Sequence, residues 1–550
     1  MKCGAAAKLL GPCGGKAAMD QSSSSRPSIH AVASDSPESC LGIPSPVTHS
    51  NEGVVTSSGS LIRSMVWNLI GDGSPILVAV FAIPILIHSL GNDRFGVLTL
   101  AWAMVGYFGI FDVGLGRALT KLIAERKTSG QSGDIPGLIQ TGLLLVLLFG
   151  AVGTALLAAL SPLLIRHVLK VPAPLQHETL YAFYLLAFSI PAGLCLSALR
   201  GVLAAFLRFD LINLLRIPFM FFLFLGPLMV LPFSRSLVPI VAVLLGARVV
   251  SCAWHLFFCF RLVPELYSPL RIRTTDIIVL LTFGGWVSVS NIVSPLLVYV
   301  DRFVIGSFIS MEAVAWYVTP YEMVSKLGMI PGAIVMVLFP AFAECLPVAP
   351  TRVALLFERG VKYTIIALFP LILFAVTMAH RGLTIWLGAD FAAHSTRVLQ
   401  WVALGVFINS VGHLPYALIQ ASNRPDITAK LHLIEIPFYL ALLRWLVVVD
   451  GVQGAAMAWT LRVAVDTGAL LAITGRIYPL VARSIREIFG MLAVTTFILL
   501  MGIWLPNGSA SVIFLIVTLA IFSVIAWSWL LSVEEKTVLR SGLRTIWALP

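Results

Sequence analysis

Four arginines lie inside long apolar stretches of this 550-residue chain, together with two asparagines and a histidine. A charge at membrane depth is costly unless it faces a partner or a water-filled cavity, so such residues indicate a functional site. Guanidinium groups present a planar fork that matches phosphate oxygens, and these cations can therefore attract a phosphate. The residues are Arg248, Arg302, Arg444, Arg462, Asn291, Asn409 and His413.

Four carboxylates lie in equally apolar surroundings and are functional candidates for the same reason. Asp112 has a second interpretation, in which it lies near the membrane interface and forms a salt bridge with Arg117. Glu435 has no obvious local partner, whereas the pairs Glu322–Lys326 and Arg462–Asp466 have the i, i+4 spacing of helical ion pairs. The four carboxylates are Asp72, Asp112, Asp301 and Glu435.

Several of these side chains belong to polar stripes with helical spacing. Asp72 follows Asn68 by four residues, and His413 follows Asn409 by four. Any single stripe is explained as well by polar contacts between packed helices. Stripes on helices from both parts of the chain, taken together, predict a central hydrated cavity.

The elements that must position these side chains are transmembrane helices. The chain is 58% hydrophobic and 11% charged, whereas soluble proteins carry about 25% charged residues. About 20 apolar residues cross the hydrocarbon core, and fourteen such runs are present, so the predicted fold class is an all-α polytopic membrane protein. The runs are 62–89, 95–117, 136–160, 178–200, 210–232, 237–260, 276–300, 312–340, 358–384, 396–421, 427–448, 452–475, 485–505 and 510–532.

Basic residues predict the orientation of these helices. They are concentrated in the turns on the side of both chain ends, such as the turn with Lys121, Arg126 and Lys127, which predicts that both termini are cytoplasmic. Residues 1–60 are rich in Ser, Gly, Ala and Pro, and we expect them to be a disordered cytoplasmic tail.

Two sequence matches at nearly equal offsets indicate an internal duplication. LGNDRFG at 90–96 matches ISMEAVA at 309–315 with an offset of 219, and RFD at 208–210 matches RPD at 424–426 with an offset of 216. The alternative is chance matching in apolar sequence. A repeat of six helices keeps both copies in the same orientation, a transporter layout with the site between the halves. The predicted domains are six-helix bundles at 61–262 and 263–480, then two further helices and a tail at 481–550.

The sequence lacks motifs that are typical of enzymes, metal-binding proteins and nucleic-acid-binding proteins. There is no Walker loop, GxSxG or HExxH pattern, so ATP hydrolysis and hydrolase chemistry are not expected. The seven cysteines show neither CxxC nor Cys/His metal spacing. The net charge of +11 is dispersed over short turns, without a basic patch interleaved with aromatic residues. We therefore expect no enzyme activity, no cofactor, no metal and no nucleic-acid partner.

Three motifs resemble those of polysaccharide transporters. They are LGNDRFG with the following FDVGLG at 111–116, VYVDRFVIGSF at 298–308, and VAWY at 314–317. The family comprises oligosaccharide flippases of the O-antigen type, within the multidrug/oligosaccharidyl-lipid/polysaccharide exporter superfamily. The likeness covers roughly 61–480, and Ala315 stands where the family usually has Gly. It implies two parallel six-helix repeats that form a V-shaped cavity opening to the lipid.

The resemblance also implies a function. It predicts a secondary transporter that moves an undecaprenyl-diphosphate-linked oligosaccharide from the cytoplasmic to the periplasmic leaflet of a bacterial inner membrane, by alternating access, for O-antigen, capsule or exopolysaccharide biosynthesis. The four arginines would then hold the diphosphate, Asn291, Asn409 and His413 would contact substrate, and the four carboxylates would carry a coupling proton or Na⁺. The implied partners are the lipid-linked oligosaccharide, membrane lipids and other polysaccharide-assembly proteins.

Three alternatives stay open on the sequence. A multidrug or toxin exporter of the same superfamily would have a more acidic cavity. A flippase for a lipid-linked peptidoglycan precursor is closer in chemistry. A membrane glycan polymerase or ligase would be an enzyme, and such enzymes usually carry a large extracytoplasmic loop, which this chain lacks.

Overall fold

Long apolar runs form helices here because a backbone in hydrocarbon must satisfy its hydrogen bonds within its own segment. The computed structural model describes residues 77–107, 114–269, 272–506 and 508–530 with Lys536, and of residues 105–107, 132, 283–296 and 529–530 only the backbone. Throughout these residues the secondary structure is helical, without strands. The helices are α1 (Leu77–Leu90), α2 (Asn92–Tyr107), α3 (Leu115–Thr128), α4 (Ile135–Leu163), α5 (Ala173–Ala205), α6 (Phe209–Val230), α7 (Leu237–Leu262), α8 (Thr274–Phe308), α9 (Met311–Ser325), α10 (Met329–Cys345), α11 (Pro350–Thr377), α12 (Ala379–Leu387), α13 (Ala389–Ala421), α14 (Pro425–Ile477), α15 (Ala482–Trp504) and α16 (Ser509–Ile525).

Within the described ranges, ten helices are long and apolar enough to cross a membrane, which confirms the predicted fold class. One of the ten, α14, contains a sharp bend at Gly451, whose backbone has φ 59° and ψ −134°. The segments on either side of the bend pack against each other, since a Cβ built on Gly454 would lie 2.0 Å from the carbonyl oxygen of Leu446. The helix is therefore a hairpin that holds the predicted runs 427–448 and 452–475. The total of fourteen stays a prediction, because the runs at 62–89 and 95–117 extend outside the described residues.

Helix bounds and turn geometry support the duplication. Helices α5 and α13 both have 33 residues, and they begin and end 216 residues apart. Each is followed by a turn through a residue with positive φ, Leu207 at 58° and Asn423 at 63°. The next backbone N–H closes the same bond in both turns, from Arg208 to Leu203 at 2.9 Å and from Arg424 to Ile419 at 3.3 Å. These matches do not test the domain limits at 61–262, 263–480 and 481–550, which stay predictions.

The two copies meet where the repeated motifs begin, at the N-terminal ends of α2 and α9. A Cβ on Gly96 would lie 1.8 Å from the carbonyl oxygen of Met311, so the two backbones touch and only glycine fits. Beside this contact, the Asn92 side-chain amide donates to Oε1 of Glu312 at 2.7 Å. The copies therefore join at corresponding positions, as a two-fold repeat requires.

A second set of contacts links the copies at the opposite ends of their helices. At the start of α8, Asp276 is buried and pairs with Arg126 of α3. Nearby, Nη1 of Arg273 lies 2.6 Å from Oδ1 of Asp134, which precedes α4. Both ion pairs cross the predicted boundary between the bundles.

Candidate functional site

A cavity of about 590 Å³ lies between helices of the two predicted copies. Helices α1, α2 and α6 line it from the first copy, and α8, α9 and α12 from the second. The volume falls within the range of about 300–1,000 Å³ that is typical of small-molecule sites. Its polar and aromatic lining consists of Phe95, Thr99, Trp102, Phe224, Tyr299, Arg302, Thr319, Glu322, Ser325, Lys326 and Trp386.

Arg302 is the central charge of this cavity, and it is only 2% exposed. Arg302 follows Tyr299, another residue that lines the cavity, by one turn of α8. The Arg302 guanidinium donates from Nη2 to Oε1 of Glu322 at 2.6 Å. Glu322 also pairs with Lys326, which follows the last residue of α9, and the Lys326 Nζ lies 3.2 Å from Oε2, as the i, i+4 spacing predicts. These three residues carry a net charge of +1, so the cavity favours an anion.

Aromatic rings surround the Arg302 guanidinium and leave part of it unpaired. Its carbon Cζ lies 4.7 Å from the ring centre of Tyr299 and 5.5 Å from that of Tyr321, distances of cation–π contacts. The buried Nε of Arg302 has no hydrogen-bond partner among the described residues, and neither has the buried indole Nε1 of Trp102, which also lines the cavity. The site thus holds two unused donors, one charged and one neutral.

Asp301, adjacent to Arg302, is not among the residues that line the cavity and is completely buried. Its Oδ1 accepts the backbone N–H of Arg302 at 2.7 Å, and its Oδ2 accepts the hydroxyl of Tyr317. Two donors satisfy this carboxyl group, which fixes α8 against α9.

A second group of buried charges lies between the arms of the α14 hairpin. The guanidinium Nη1 of Arg462 is 3.8 Å from Oε2 of Glu435, and Nε2 of His432 is 3.6 Å from Oδ1 of Asp466. The Arg462 guanidinium also covers the ring of Tyr439 at 5.5 Å. The spacing predicts an i, i+4 ion pair between Arg462 and Asp466, but this pair is absent from the ion pairs of the described residues. Arg462 instead lies beside Glu435 of the facing arm.

Besides Arg462, the two remaining predicted arginines also lie outside the Arg302 cavity. Arg248 is buried within the first copy, where Nη1 contacts the hydroxyl of Ser189 at 3.4 Å. Arg444 is exposed and packs its guanidinium on the ring of Phe308 at 5.6 Å. The predicted set of four cations is thus divided over four places, because depth in an apolar run does not fix the direction in which a side chain points.

The remaining candidates have mixed outcomes. Asn409 and His413 lie on α13 with 3.5 Å between Nδ2 and Nε2, outside the lining of the Arg302 cavity. Asp72 and Asp112 lie outside the described residues, as does the side chain of Asn291. None of these positions is tested as a substrate or ion site.

Sequence reasoning missed most of the cavity wall. Trp102, Phe224 and Trp386 come from three separate helices, and no spacing pattern joins them. Glu322 and Lys326 were recognisable as an ion pair but not as partners of Arg302, 20 residues away. The one available signal was their position on or directly after α9, the helix that carries the repeated motif.

Comparison with known proteins identifies the family. The model of the family "Polysaccharide biosynthesis protein" matches residues 61–346. A Shigella flexneri protein assigned as an O-antigen transporter is 32% identical over 423 residues, which cover 74% of this chain and 96% of that protein.

Among solved structures, an inward-facing multidrug resistance MATE family transporter of the MOP superfamily matches with a TM-score of 0.60 at 13% identity, over 74% of this chain and 96% of the other. A MOP superfamily transporter from Pyrococcus furiosus matches with a TM-score of 0.53 at 13% identity, over 77% and 96%. These two likenesses concern the fold alone. With a family match over more than half of its length and a relative that is 32% identical, the chain belongs to the polysaccharide biosynthesis protein family and has the fold of the MOP superfamily transporters.

Proposed function

We propose that this protein is a flippase that moves an undecaprenyl-diphosphate-linked oligosaccharide across a bacterial inner membrane, from the cytoplasmic to the periplasmic leaflet. The observation that carries the proposal is Arg302, a buried cation that lines a cavity between the two copies of the repeat. The similarity to the Shigella flexneri O-antigen transporter supports a surface-polysaccharide substrate. The positive-inside bias supports cytoplasmic termini.

The chemistry of the cavity fits the headgroup of such a lipid. Moving a diphosphate through a bilayer is prohibitive unless cations replace its hydration. Arg302 offers an unpaired Nε–H, and Lys326 adds a second positive charge from the turn that follows α9. The phosphate would compete with Glu322 for these cations, and the prenyl chain would remain in the hydrocarbon.

The aromatic lining fits the sugars that follow the diphosphate. Rings of Phe95, Trp102 and Phe224 pack edge to face, with centroids 6.1 Å and 5.5 Å apart, and present apolar faces to the cavity. The unpaired indole N–H of Trp102 supplies a donor for a hydroxyl group. Binding between two halves of one orientation allows alternating access by rocking of one half against the other.

The mixed charge of the cavity favours this substrate over those of a multidrug exporter. An exporter of cationic drugs needs excess negative charge, whereas Arg302, Glu322 and Lys326 sum to +1. We also propose transport rather than catalysis, since the polar groups of the cavity are arranged to bind an anion.

The test is complementation of a strain that lacks this gene, with the lipid-linked glycans extracted and quantified. We expect Arg302→Ala to reduce transport by about 10- to 100-fold, because a hydrogen bond to a charged group contributes about 1.5–3 kcal/mol. Arg302→Lys should recover little, since a lysine keeps the charge without the fork. The matched control is Arg444→Ala, an arginine of the second copy that lies outside the cavity, which should complement fully.

Protein levels in the membrane must be equal for all three variants. Normal surface glycan with Arg302→Ala would contradict the proposed role of the cavity. A knockout that accumulates no lipid-linked glycan would contradict the flippase assignment itself.

A further inference from the structure

Glu435 is a carboxyl group that the fold buries without satisfying it. Its side chain is 7% exposed, and neither carboxyl oxygen has a hydrogen-bond partner among the described residues. Its nearest cation, Arg462, is 3.8 Å away, an ion-pair distance rather than a hydrogen bond. A buried anion without donors costs several kcal/mol, so this carboxyl group needs something that the chain itself does not supply.

The charges inside the α14 hairpin do not balance. Glu435 and Asp466 contribute two negative charges, Arg462 contributes one positive charge, and a neutral His432 contributes none. Asp466 is 7% exposed as well, and it also interacts with the carboxyl group of Glu435. One additional positive charge therefore neutralises the cluster.

A proton fits this position better than a metal ion. Na⁺ prefers a cage of oxygen ligands, whereas a guanidinium and an imidazole lie beside the two carboxyl groups. In the described part of the chain, no three His, Cys, Asp or Glu side chains converge with the geometry of a metal site. A proton needs only one carboxyl oxygen, and the neighbouring imidazole is a group that can pass it on.

The other charged groups around the hairpin are already paired or neutral. On α8, Asp301 receives two donors, which distinguishes it from Glu435, and Arg302 is bound to Glu322 of α9. From α13, the Tyr416 ring stacks on His432 with centroids 6.2 Å apart, and His413 contacts Asn409 at 3.5 Å. Among the described residues of this region, Glu435 is thus the carboxyl group in which both oxygens are buried without a donor, whereas Asp466 has one such oxygen.

We propose that Glu435 is the binding site of the coupling proton, with Asp466 and His432 as the relay through which it enters or leaves. This proposal rests on the proposed transport function. The carboxylate takes up H⁺ to become a neutral acid and releases the same H⁺ to water when the access of the cavity changes, and no other bond forms or breaks.

A chain of buried side chains connects this site to the substrate cavity. Arg462 contacts Glu435 and covers the ring of Tyr439, and its charge also acts on Asp301. Asp301 in turn accepts the backbone N–H of Arg302, whose guanidinium lines the cavity. When Glu435 is neutral, Arg462 loses its partner and interacts more strongly with Asp301. Substrate binding at Arg302 and protonation at Glu435 can therefore influence each other.

The direct test is pH-difference infrared spectroscopy of the full-length protein in lipid vesicles. We expect the carbonyl band of a protonated carboxylic acid to appear as the pH falls, to vanish in Glu435→Gln, and to be retained with a shift in Glu435→Asp. The matched control is Asp426→Asn, an exposed carboxyl group on the same hairpin arm, which should leave the band unchanged. Titrations in Na⁺ and in choline should coincide.

Transport of the same variants separates the two proposals. We expect Glu435→Gln to lose the dependence of transport on an imposed pH gradient, while Glu435→Asp keeps part of it. If the carboxylic-acid band persists in Glu435→Gln, or if Na⁺ removes it, Glu435 is not the proton site. Complementation by the wild-type gene would still support the proposed flippase function in that case. If the wild-type gene fails to complement but the band is assigned to Glu435, only the proposed flippase function is overturned.

Discussion

Asp301 and Glu435 are both carboxyl groups buried in apolar helices, and their neighbours give them different properties. Asp301 accepts two hydrogen bonds, which give it a structural task. Glu435 accepts none. The difference depends on donors from other turns and helices, which is why the two residues had equal standing as ion-coupling candidates on the sequence.

Asp301→Asn should destabilise the protein. The amide has a single acceptor oxygen, so one of the two buried donors to Asp301, the Arg302 backbone N–H or the Tyr317 hydroxyl, loses its acceptor, which costs about 1–3 kcal/mol. Tyr317→Phe removes one hydrogen bond to the same carboxylate and should cost about 1–3 kcal/mol. Thermal unfolding of the purified variants in detergent measures both, with the exposed Asp210→Asn as a control that should unfold like the wild type. Equal stability of Asp301→Asn and the wild type would remove Asp301 from its structural role.

Local spacing predicted one of the two ion pairs and failed for the other. The pair Glu322–Lys326 forms because both residues face the same cavity. Arg462 and Asp466 have the same spacing, but the opposite arm of α14 brings Glu435 to the arginine and His432 to the aspartate. A tertiary contact thus replaced the local one, and nothing in the spacing could show it.

At the scale of elements, the turns after α5 and α13 have one geometry built from different residues. The second copy uses Asn423, a residue that tolerates positive φ, whereas the first copy uses Leu207. A leucine side chain in the left-handed region costs about 1–2 kcal/mol. Leu207 is 74% exposed, so little packing compensates for this cost.

Leu207→Asn should therefore stabilise the protein by about 1 kcal/mol, and Leu207→Gly should act in the same direction. Leu207→Ala is the matched control, because it removes the side chain but keeps the Cβ atom that causes the strain. The measurement is the midpoint of thermal unfolding for the three variants. If Leu207→Ala raises the midpoint of thermal unfolding as much as Leu207→Asn does, the lower stability of the wild type comes from the exposed leucine side chain and not from backbone strain.

Most helices could be predicted from the sequence because hydrocarbon allows few alternatives to them. The runs at 178–200 and 396–421 lie within α5 and α13, and the RFD and RPD motifs correctly marked corresponding turns. The run at 358–384 was less accurate, since the chain breaks at Met378 and continues as the separate helix α12. Hydrophobicity does not register such a break, because both sides of it are apolar.

At the scale of the whole molecule, the two copies are joined at both ends of their helices. Asn92 and Glu312 hold α2 to α9 at one end, and Arg126 and Asp276 hold α3 to α8 at the other. Alternating access requires each set to separate in turn. The repeat in the sequence predicted that the copies share an orientation, but which corresponding helices touch was visible only in the fold.

A disulfide between Asn92→Cys and Glu312→Cys should stop transport. The two side chains are in hydrogen-bond contact, and one turn further along α2 the backbone of Gly96 touches that of Met311, so the two helices lie close together here. We expect an oxidant to block the movement of lipid-linked glycan in membrane vesicles, and a reductant to restore it. Each single cysteine variant, treated in the same way, controls for the native cysteines. Undiminished transport by the fully cross-linked protein would mean that α2 and α9 stay together throughout the cycle.

The bend at Gly451 determines how the charges of α14 can change during evolution. Its backbone torsions are open to almost no residue but glycine. A substitution of one charged residue on either arm alters a single facing pair. A substitution at Gly451 would instead displace one arm relative to the other and misalign every facing pair at once, so natural variants should retain the glycine at this bend even where individual charges on the arms differ.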